Sequence, residues 1–97
     1  MGYYTDYTIV RAPPAAVEQL HNISVYTWEN EDELFRVKWY SWSDDLALVS
    51  KSFPLHTLVI DGVGEEYPDI WRAYAKNGVV IKVQADVTFK EPTFDKD

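Results

Sequence analysis

The chain has 97 residues, of which 46% are hydrophobic and 15% aromatic, so it is too short for two independent cores and too apolar for a disordered protein. It contains no cysteine, which excludes disulfides, thiolate metal sites and cysteine nucleophiles. Sixteen acidic and nine basic residues give a formal net charge of −7, which opposes direct nucleic-acid binding because phosphate backbones attract positive charge.

The N-terminal part of the chain predicts a strand followed by a short helix. Aromatic and β-branched residues dominate residues 3–10, which is typical of a strand. Pro13 and Pro14 end this strand, and proline suits the first turn of a helix. A short helix is therefore expected over residues 15–22.

Two further strands are expected after this helix, over residues 23–28 and 34–40. In the second of them, alternation places Phe35, Val37 and Trp39 on one face. The acidic stretch between the two strands is short enough for a hairpin connection.

A second helix and a fourth strand are expected next. Ser41 or Ser43 is a candidate N-terminal cap for the helix, and Pro54 ends it. Residues 56–61 predict the strand, and Gly62 and Gly64 are expected to open a turn after it.

The last third of the chain predicts a β-hairpin. Asn77-Gly78 favours a two-residue turn, because both of its positions require positive φ. The strands on either side would span residues 70–76 and 79–88. Residues 70–76 also match a helical period, but a helix there would leave the second arm without its partner strand.

The predicted fold class is α+β, with the element order β-α-β-β-α-β followed by a hairpin. This order predicts a ferredoxin-like antiparallel sheet with two helices on one face, plus the C-terminal β-hairpin. Residues 1–90 would form this single domain, and residues 91–97 would form a flexible acidic tail.

Four carboxylates surround the predicted turn before the hairpin: Asp61, Glu65, Glu66 and Asp69. Three interpretations of this cluster stay open, namely solvated or structural carboxylates, a contact with a partner, and a metal or catalytic site. The cluster lacks the ligand spacing of a calcium loop, and no nucleophile motif occurs in the chain. We therefore predict no catalytic residue, no metal site and no cofactor.

The aromatic residues are more numerous than one small core requires, so some of them are expected on the open face of the sheet. An RNA-binding sheet would combine such rings with basic neighbours, whereas exposed aromatic side chains beside charge more often mark a protein interface. The predicted partner-binding residues combine these rings with the acidic cluster. They are Asp61, Glu65, Glu66, Asp69, Trp71, Tyr74 and Trp42.

Three segments carry a resemblance to known proteins. They are Met1-Gly2-Tyr3-Tyr4-Thr5, Lys38-Trp39-Tyr40, and residues 64–78 with Gly64-Glu65-Glu66, Asp69-Ile70-Trp71, Tyr74 and Lys76-Asn77-Gly78. Together they resemble a group of small bacteriophage proteins. More distantly, the chain is similar to the ferredoxin-like domain of Api92/YubB-type phage and plasmid proteins. The resemblance implies an accessory protein of a mobile element, a kind of protein that often binds and blocks host machinery.

The expected function is therefore that of a non-enzymatic phage accessory protein that binds and inhibits a host protein, such as an anti-phage defence protein. We expect it in the host cytoplasm, because the chain has no signal-peptide pattern and no apolar run near the about 18 residues of a membrane span. A homodimer, formed through the open sheet face or the edge of the hairpin, is a further expectation.

Two other functions stay open. A small-molecule or nucleotide-binding sponge would stack a base on tryptophan or tyrosine and hold phosphate with Arg36, Lys38 or Arg72. A small enzyme would instead use the carboxylates of the acidic cluster.

Overall fold

The computed structural model describes residues 3–24, 26, 28, 30–66 and 68–85. In these residues the sheet and helices follow one another as β1 (Thr5–Arg11), α1 (Pro14–Ser24), β2 (Glu33–Val37), α2 (Trp42–Lys51), β3 (Leu58–Gly64), β4 (Ile70–Lys76) and β5 (Val79–Gln84). The five strands form one antiparallel sheet in the spatial order β2-β1-β3-β4-β5. The predicted α+β class and antiparallel sheet are confirmed. Neither described helix has the length and apolar character needed to cross a membrane.

The core lies between the two helices and one face of the sheet, because alternate strand residues point to that face. On β4, for example, Trp71, Ala73 and Ala75 are buried while the residues between them are exposed. The other buried apolar residues of this cluster are Tyr7, Ile9, Ala16, Leu20, Leu34, Trp39, Leu46, Val49, Leu58 and Ile60. The opposite face, which we call the open sheet face, carries exposed residues such as Val63, Tyr74 and Val83, although Val59 on this face is buried.

The C-terminal hairpin is confirmed. Residues 70–76 form β4, and Lys76 pairs with Val79 across the turn. Asn77 and Gly78 both have positive φ, 47° and 87°, as the sequence predicts for this turn. The Gly78 N–H donates a hydrogen bond to Ser50 Oγ (2.8 Å), which fixes the turn against α2. The second arm is described only as far as Ala85, so residues 86–88 and the tail 91–97 lie outside the described residues.

The predicted second strand is wrong for the described part of residues 23–28. Ile23 and Ser24 continue α1, and neither Tyr26 nor Trp28 belongs to a strand. The reason is local packing, because Trp28 Nε1 donates to Ser24 Oγ (2.8 Å) and its ring lies 4.7 Å from that of His21. Trp28 therefore packs against the end of α1. The described elements follow the order β-α-β-α-β-β-β and not the ferredoxin-like order.

The predicted face of Phe35 is also wrong. Leu34 is fully buried, while Phe35 is exposed. The alternation is interrupted at Arg36, which has a positive φ of 51°, where the pairing of β2 with β1 shifts register. An irregularity of this kind moves side chains from one sheet face to the other.

Candidate functional site

The predicted acidic cluster is divided between two places in the structure. Gly62 and Gly64 continue β3 and do not open a turn, so that prediction is wrong and Asp61 lies within the strand. Asp61 accepts hydrogen bonds from Arg72 Nε (2.6 Å) and Nη2 (3.0 Å) on the open sheet face. The remaining carboxylates belong to the segment 64–69, which we call the acidic loop.

Tyr3 and Tyr4, directly before β1, form hydrogen bonds with residues of the acidic loop. The Tyr3 hydroxyl donates to Asp69 Oδ2 (2.7 Å) and accepts a hydrogen bond from the Glu66 N–H (3.1 Å). The Tyr4 N–H donates to Glu65 Oε1 (2.8 Å). The hydrogen bond to Asp69 raises the pKa of Tyr3 above its usual value. These contacts hold Glu65 and Glu66 in place while both residues stay exposed.

A small cavity of about 180 Å3 lies on the helix side of the sheet, beside the acidic loop. We call it the aromatic pocket. Six of its lining residues are aromatic, and Asp69 and Lys82 supply charges of opposite sign. Its lining residues are Tyr3, Thr5, Tyr7, Trp39, Tyr40, Trp42, Asp69, Trp71 and Lys82.

Trp71 forms a wall of the pocket and is only 4% exposed. Its ring stacks on that of Trp42, with centroids 4.5 Å apart and planes inclined by 24°. It also lies across Gly62, since a Cβ at that position would overlap the indole. The Lys82 ammonium lies 5.2 Å from the Trp71 ring centroid, which is cation–π distance. Tyr40, in contrast, is 67% exposed and reaches solvent at the rim.

Two hydrogen bonds, one buried and one partly buried, hold Tyr7 and Trp39 in the wall of the pocket. Tyr7 donates its hydroxyl proton to the Trp39 carbonyl oxygen (3.1 Å), and the Trp39 indole N–H donates to Asp45 Oδ2 (2.6 Å). Burial raises the pKa of Tyr7 to about 12. The two rings also meet edge to face, with centroids 5.1 Å apart. The pocket is therefore built on residues that the fold keeps fixed.

Comparisons with protein-family models, curated proteins and solved structures give no match for this chain. No family is assigned. The resemblance to small bacteriophage proteins and to Api92/YubB-type proteins stays a prediction.

Of the seven predicted partner-binding residues, Asp69, Trp71 and Trp42 meet at the aromatic pocket, and Glu65 and Glu66 lie on the adjacent loop. Asp61 and Tyr74 lie instead on the open sheet face. In the part of the chain that the structure describes, no group of three or more His, Cys, Asp or Glu residues is placed to hold a metal ion.

The prediction that some aromatic rings lie on the open sheet face holds for Tyr74 but not for the tryptophans. Trp39 and Trp71 are buried in the core, and Trp28 and Trp42 pack against it, so none of the four tryptophans supplies an open-face surface. Tyr74 does lie on the open face, next to other exposed apolar residues. These are Ile81, which pairs with Tyr74, and Val83.

Sequence reasoning did not select Tyr3, Tyr40 or Lys82 as site residues. Tyr3 has a detectable signal, because it alternates with Thr5 and Tyr7 and therefore shares their face of the sheet. Lys82 alternates with Val80 and Gln84, but the sequence does not reveal which face that set occupies. Only the packing of Trp71 identifies it as a pocket residue.

Proposed function

We propose that this protein is a non-enzymatic binding protein that occupies a surface of another protein, as a phage accessory protein would occupy and inhibit a host protein in the host cytoplasm. One observation carries the proposal: two exposed carboxylates, Glu65 and Glu66, stand beside a pocket lined by six aromatic residues. Aromatic anchors next to charge are the combination that supplies affinity and orientation at protein interfaces.

The geometry favours binding because the surface is already ordered. Hydrogen bonds with Tyr3 and Tyr4 hold Glu65, Glu66 and Asp69, so these three residues would lose little conformational freedom on association. Tyr40 and Trp42 offer ring surface at the rim, and Trp71 stacks on Trp42. With a formal charge of −7 on the chain, the expected partner surface is basic.

The two alternative functions have less support. Arg36 and Lys38 lie over the ring of Tyr4, at 5.1 and 4.9 Å from its centroid, and Arg72 is paired with Asp61. None of these three cations lines the aromatic pocket, as a nucleotide sponge would require. An enzyme that used the acidic cluster would need Asp61 beside the loop carboxylates, but Asp61 lies on the open sheet face.

The proposal predicts that Glu65→Gln with Glu66→Gln weakens binding to the partner without destabilising the fold. Glutamine keeps the oxygen that accepts the Tyr4 N–H, and exposed charges contribute little to folding, so the free energy of unfolding should change by less than about 1 kcal/mol. Affinity should fall about tenfold and depend less on salt, because two charges leave the interface. Calorimetry with the purified partner, at low and high salt, measures both effects.

A matched control is available at the other end of the sheet. Glu18 and Glu31 are exposed, and they line a surface hollow next to the end of β1, away from the acidic loop. Glu18→Gln with Glu31→Gln removes the same charge and should leave affinity nearly unchanged. Equal losses in the two double variants would mean that only net charge matters. A large fall in melting temperature with unchanged affinity would mean that the loop carboxylates are structural.

We also propose that the protein associates with a second copy of itself through β5. This strand forms an edge of the described sheet, and Val79, Ile81 and Val83 are at least half exposed. An unpaired edge beside exposed apolar side chains favours pairing with another strand. Sedimentation should detect a concentration-dependent dimer that Ile81→Lys weakens. A pure monomer at high concentration would contradict the proposal.

The finer fold assignment is likewise a proposal. We propose that the sheet follows a ferredoxin-like plan in which α1 is the first helix and the second strand is missing from the described residues. The support is that β1 lies between β2 and β3, which take the places of the third and fourth strands of that plan.

The negative charge supports a further proposal, that the protein does not bind nucleic acid directly.

A further inference from the structure

The size of the aromatic pocket limits what it can hold. Its volume is about 180 Å3. An apolar cavity of about 150 Å3 holds one benzene molecule, and sites for drug-sized ligands begin at about 300 Å3. The pocket therefore fits one long side chain and not a whole nucleotide.

The chemistry of the walls favours a cation. The faces of aromatic rings attract positive charge, most strongly those of tryptophan. The structure contains an example at this pocket, because the Lys82 ammonium lies over the Trp71 ring. Among the described residues, Lys82 forms no salt bridge, so this position does not depend on pairing with a carboxylate.

Asp69 adds a carboxylate to the same wall. It accepts hydrogen bonds from the Tyr3 hydroxyl (2.7 Å) and, more weakly, from Gln84 Nε2 (3.3 Å). An ionised carboxylate offers about four acceptor positions, so Asp69 keeps capacity for another donor. Glu66, whose N–H donates to the Tyr3 hydroxyl, is exposed and adds a second negative charge near Asp69.

Among cationic side chains, arginine matches these features best. Its planar guanidinium can stack on an aromatic ring and also donate two hydrogen bonds to one carboxylate, whereas a lysine ammonium cannot stack in this way. We propose that the aromatic pocket binds an arginine side chain of the partner protein, with Asp69 as its carboxylate ligand. This inference rests on the proposed function, since it names the chemistry of the partner at that site.

Lys82 gives the proposal a distinctive consequence. Its positive charge lines the pocket together with Asp69 and therefore opposes a second cation. Removing this charge should strengthen arginine binding, while a purely structural role for the pocket predicts no gain. Lys82 is exposed, so its replacement by glutamine should not prevent folding.

The test is a titration of the full chain with three blocked tripeptides, Gly-Arg-Gly, Gly-Lys-Gly and Gly-Gln-Gly, followed by NMR of the tryptophan indole N–H groups. The arginine peptide should shift the Trp42 and Trp71 signals saturably and leave Trp28, which packs against His21, nearly unchanged. The lysine peptide should bind about fivefold more weakly, and the glutamine peptide should have no effect.

Two variants complete the test. Asp69→Asn should weaken the arginine peptide about fivefold or more, and Lys82→Gln should strengthen it about twofold. Equal responses to all three peptides, no response at all, or weaker binding by Lys82→Gln would overturn the proposal. If Asp69→Asn does not fold, the affinity of Lys82→Gln for the arginine peptide still tests the proposal. The tripeptides need no partner, so the proposed function survives their failure if the Glu65 and Glu66 variants still lose partner affinity.

Discussion

Gly62→Ala is expected to lower the free energy of unfolding by about 2–3 kcal/mol, which is a large effect for one methyl group. A Cβ at this position would overlap the ring of Trp71, and that ring is held by Trp42 on one side and the sheet on the other. To relieve this overlap, either the ring must give up its stacking on Trp42 or β3 must shift. Urea denaturation of the two proteins measures the difference.

A double-mutant cycle separates this overlap from the intrinsic effect of alanine in a strand. In a Trp71→Leu background the indole is gone, so Gly62→Ala should then cost less than about 1 kcal/mol. A non-zero coupling energy between positions 62 and 71 would show that glycine is needed at position 62 because the Trp71 ring packs against it. Additive losses would contradict this account and leave backbone flexibility as the reason for glycine.

Between pH 10 and pH 12 the protein is expected to lose about 2 kcal/mol of stability through Tyr7. Burial raises the pKa of this tyrosine from 10.0 to about 12 in the folded chain. Over that interval the unfolded chain releases the Tyr7 proton while the folded chain keeps it. The stabilising contribution is therefore complete below pH 10 and is lost as the pH rises through the folded value. Denaturation curves collected between pH 10 and pH 12 measure how the free energy of unfolding changes with pH.

Two variants test whether the loss of unfolding free energy between pH 10 and pH 12 comes from Tyr7. Tyr7→Phe removes the titrating group and should flatten the decline, although it also loses the hydrogen bond to Trp39 and lowers stability by about 1 kcal/mol at neutral pH. Tyr74→Phe changes a tyrosine on the open face and should leave the decline unchanged. The interpretation fails if Tyr7→Phe keeps the full slope.

The local signals in the sequence predicted the elements that depend on local chemistry. Asn77-Gly78 requires positive φ at both positions, and the hairpin lies where that requirement places it. The helix α2 begins directly after Ser41 and ends before Pro54, in agreement with the limits that the sequence predicted. In both cases the determining interactions occur within a few residues of one another.

The wrong predictions depend on contacts between distant residues. Gly62 and Gly64 resemble turn residues in sequence, but their role is to admit Trp71 and the Tyr3–Asp69 pair. Residues 23–28 resemble a strand in sequence, but Ile23 and Ser24 continue α1, and Trp28 donates a hydrogen bond to Ser24. Tertiary packing therefore overrides local propensity at these positions.

The candidate site was predictable in part for the same reason. Glu65, Glu66 and Asp69 are adjacent in sequence, so their shared position near Trp71 could be expected. The participation of Trp42 with Trp71 could only be guessed from composition, because the start of α2 must first be packed over β4. Tyr3 enters the site through a hydrogen bond to a residue 66 positions away.

Site-specific photo-crosslinking tests the central claim most directly, namely that a partner protein binds at the aromatic pocket and acidic loop. A benzophenone amino acid replaces Tyr40 at the pocket rim in one variant and Leu55, which is 89% exposed beyond the end of α2, in another. In host cells, the probe at Tyr40 should capture one specific protein, and Glu65→Gln with Glu66→Gln should reduce that product. Equal capture from both positions, or capture from Leu55 alone, would contradict the claim.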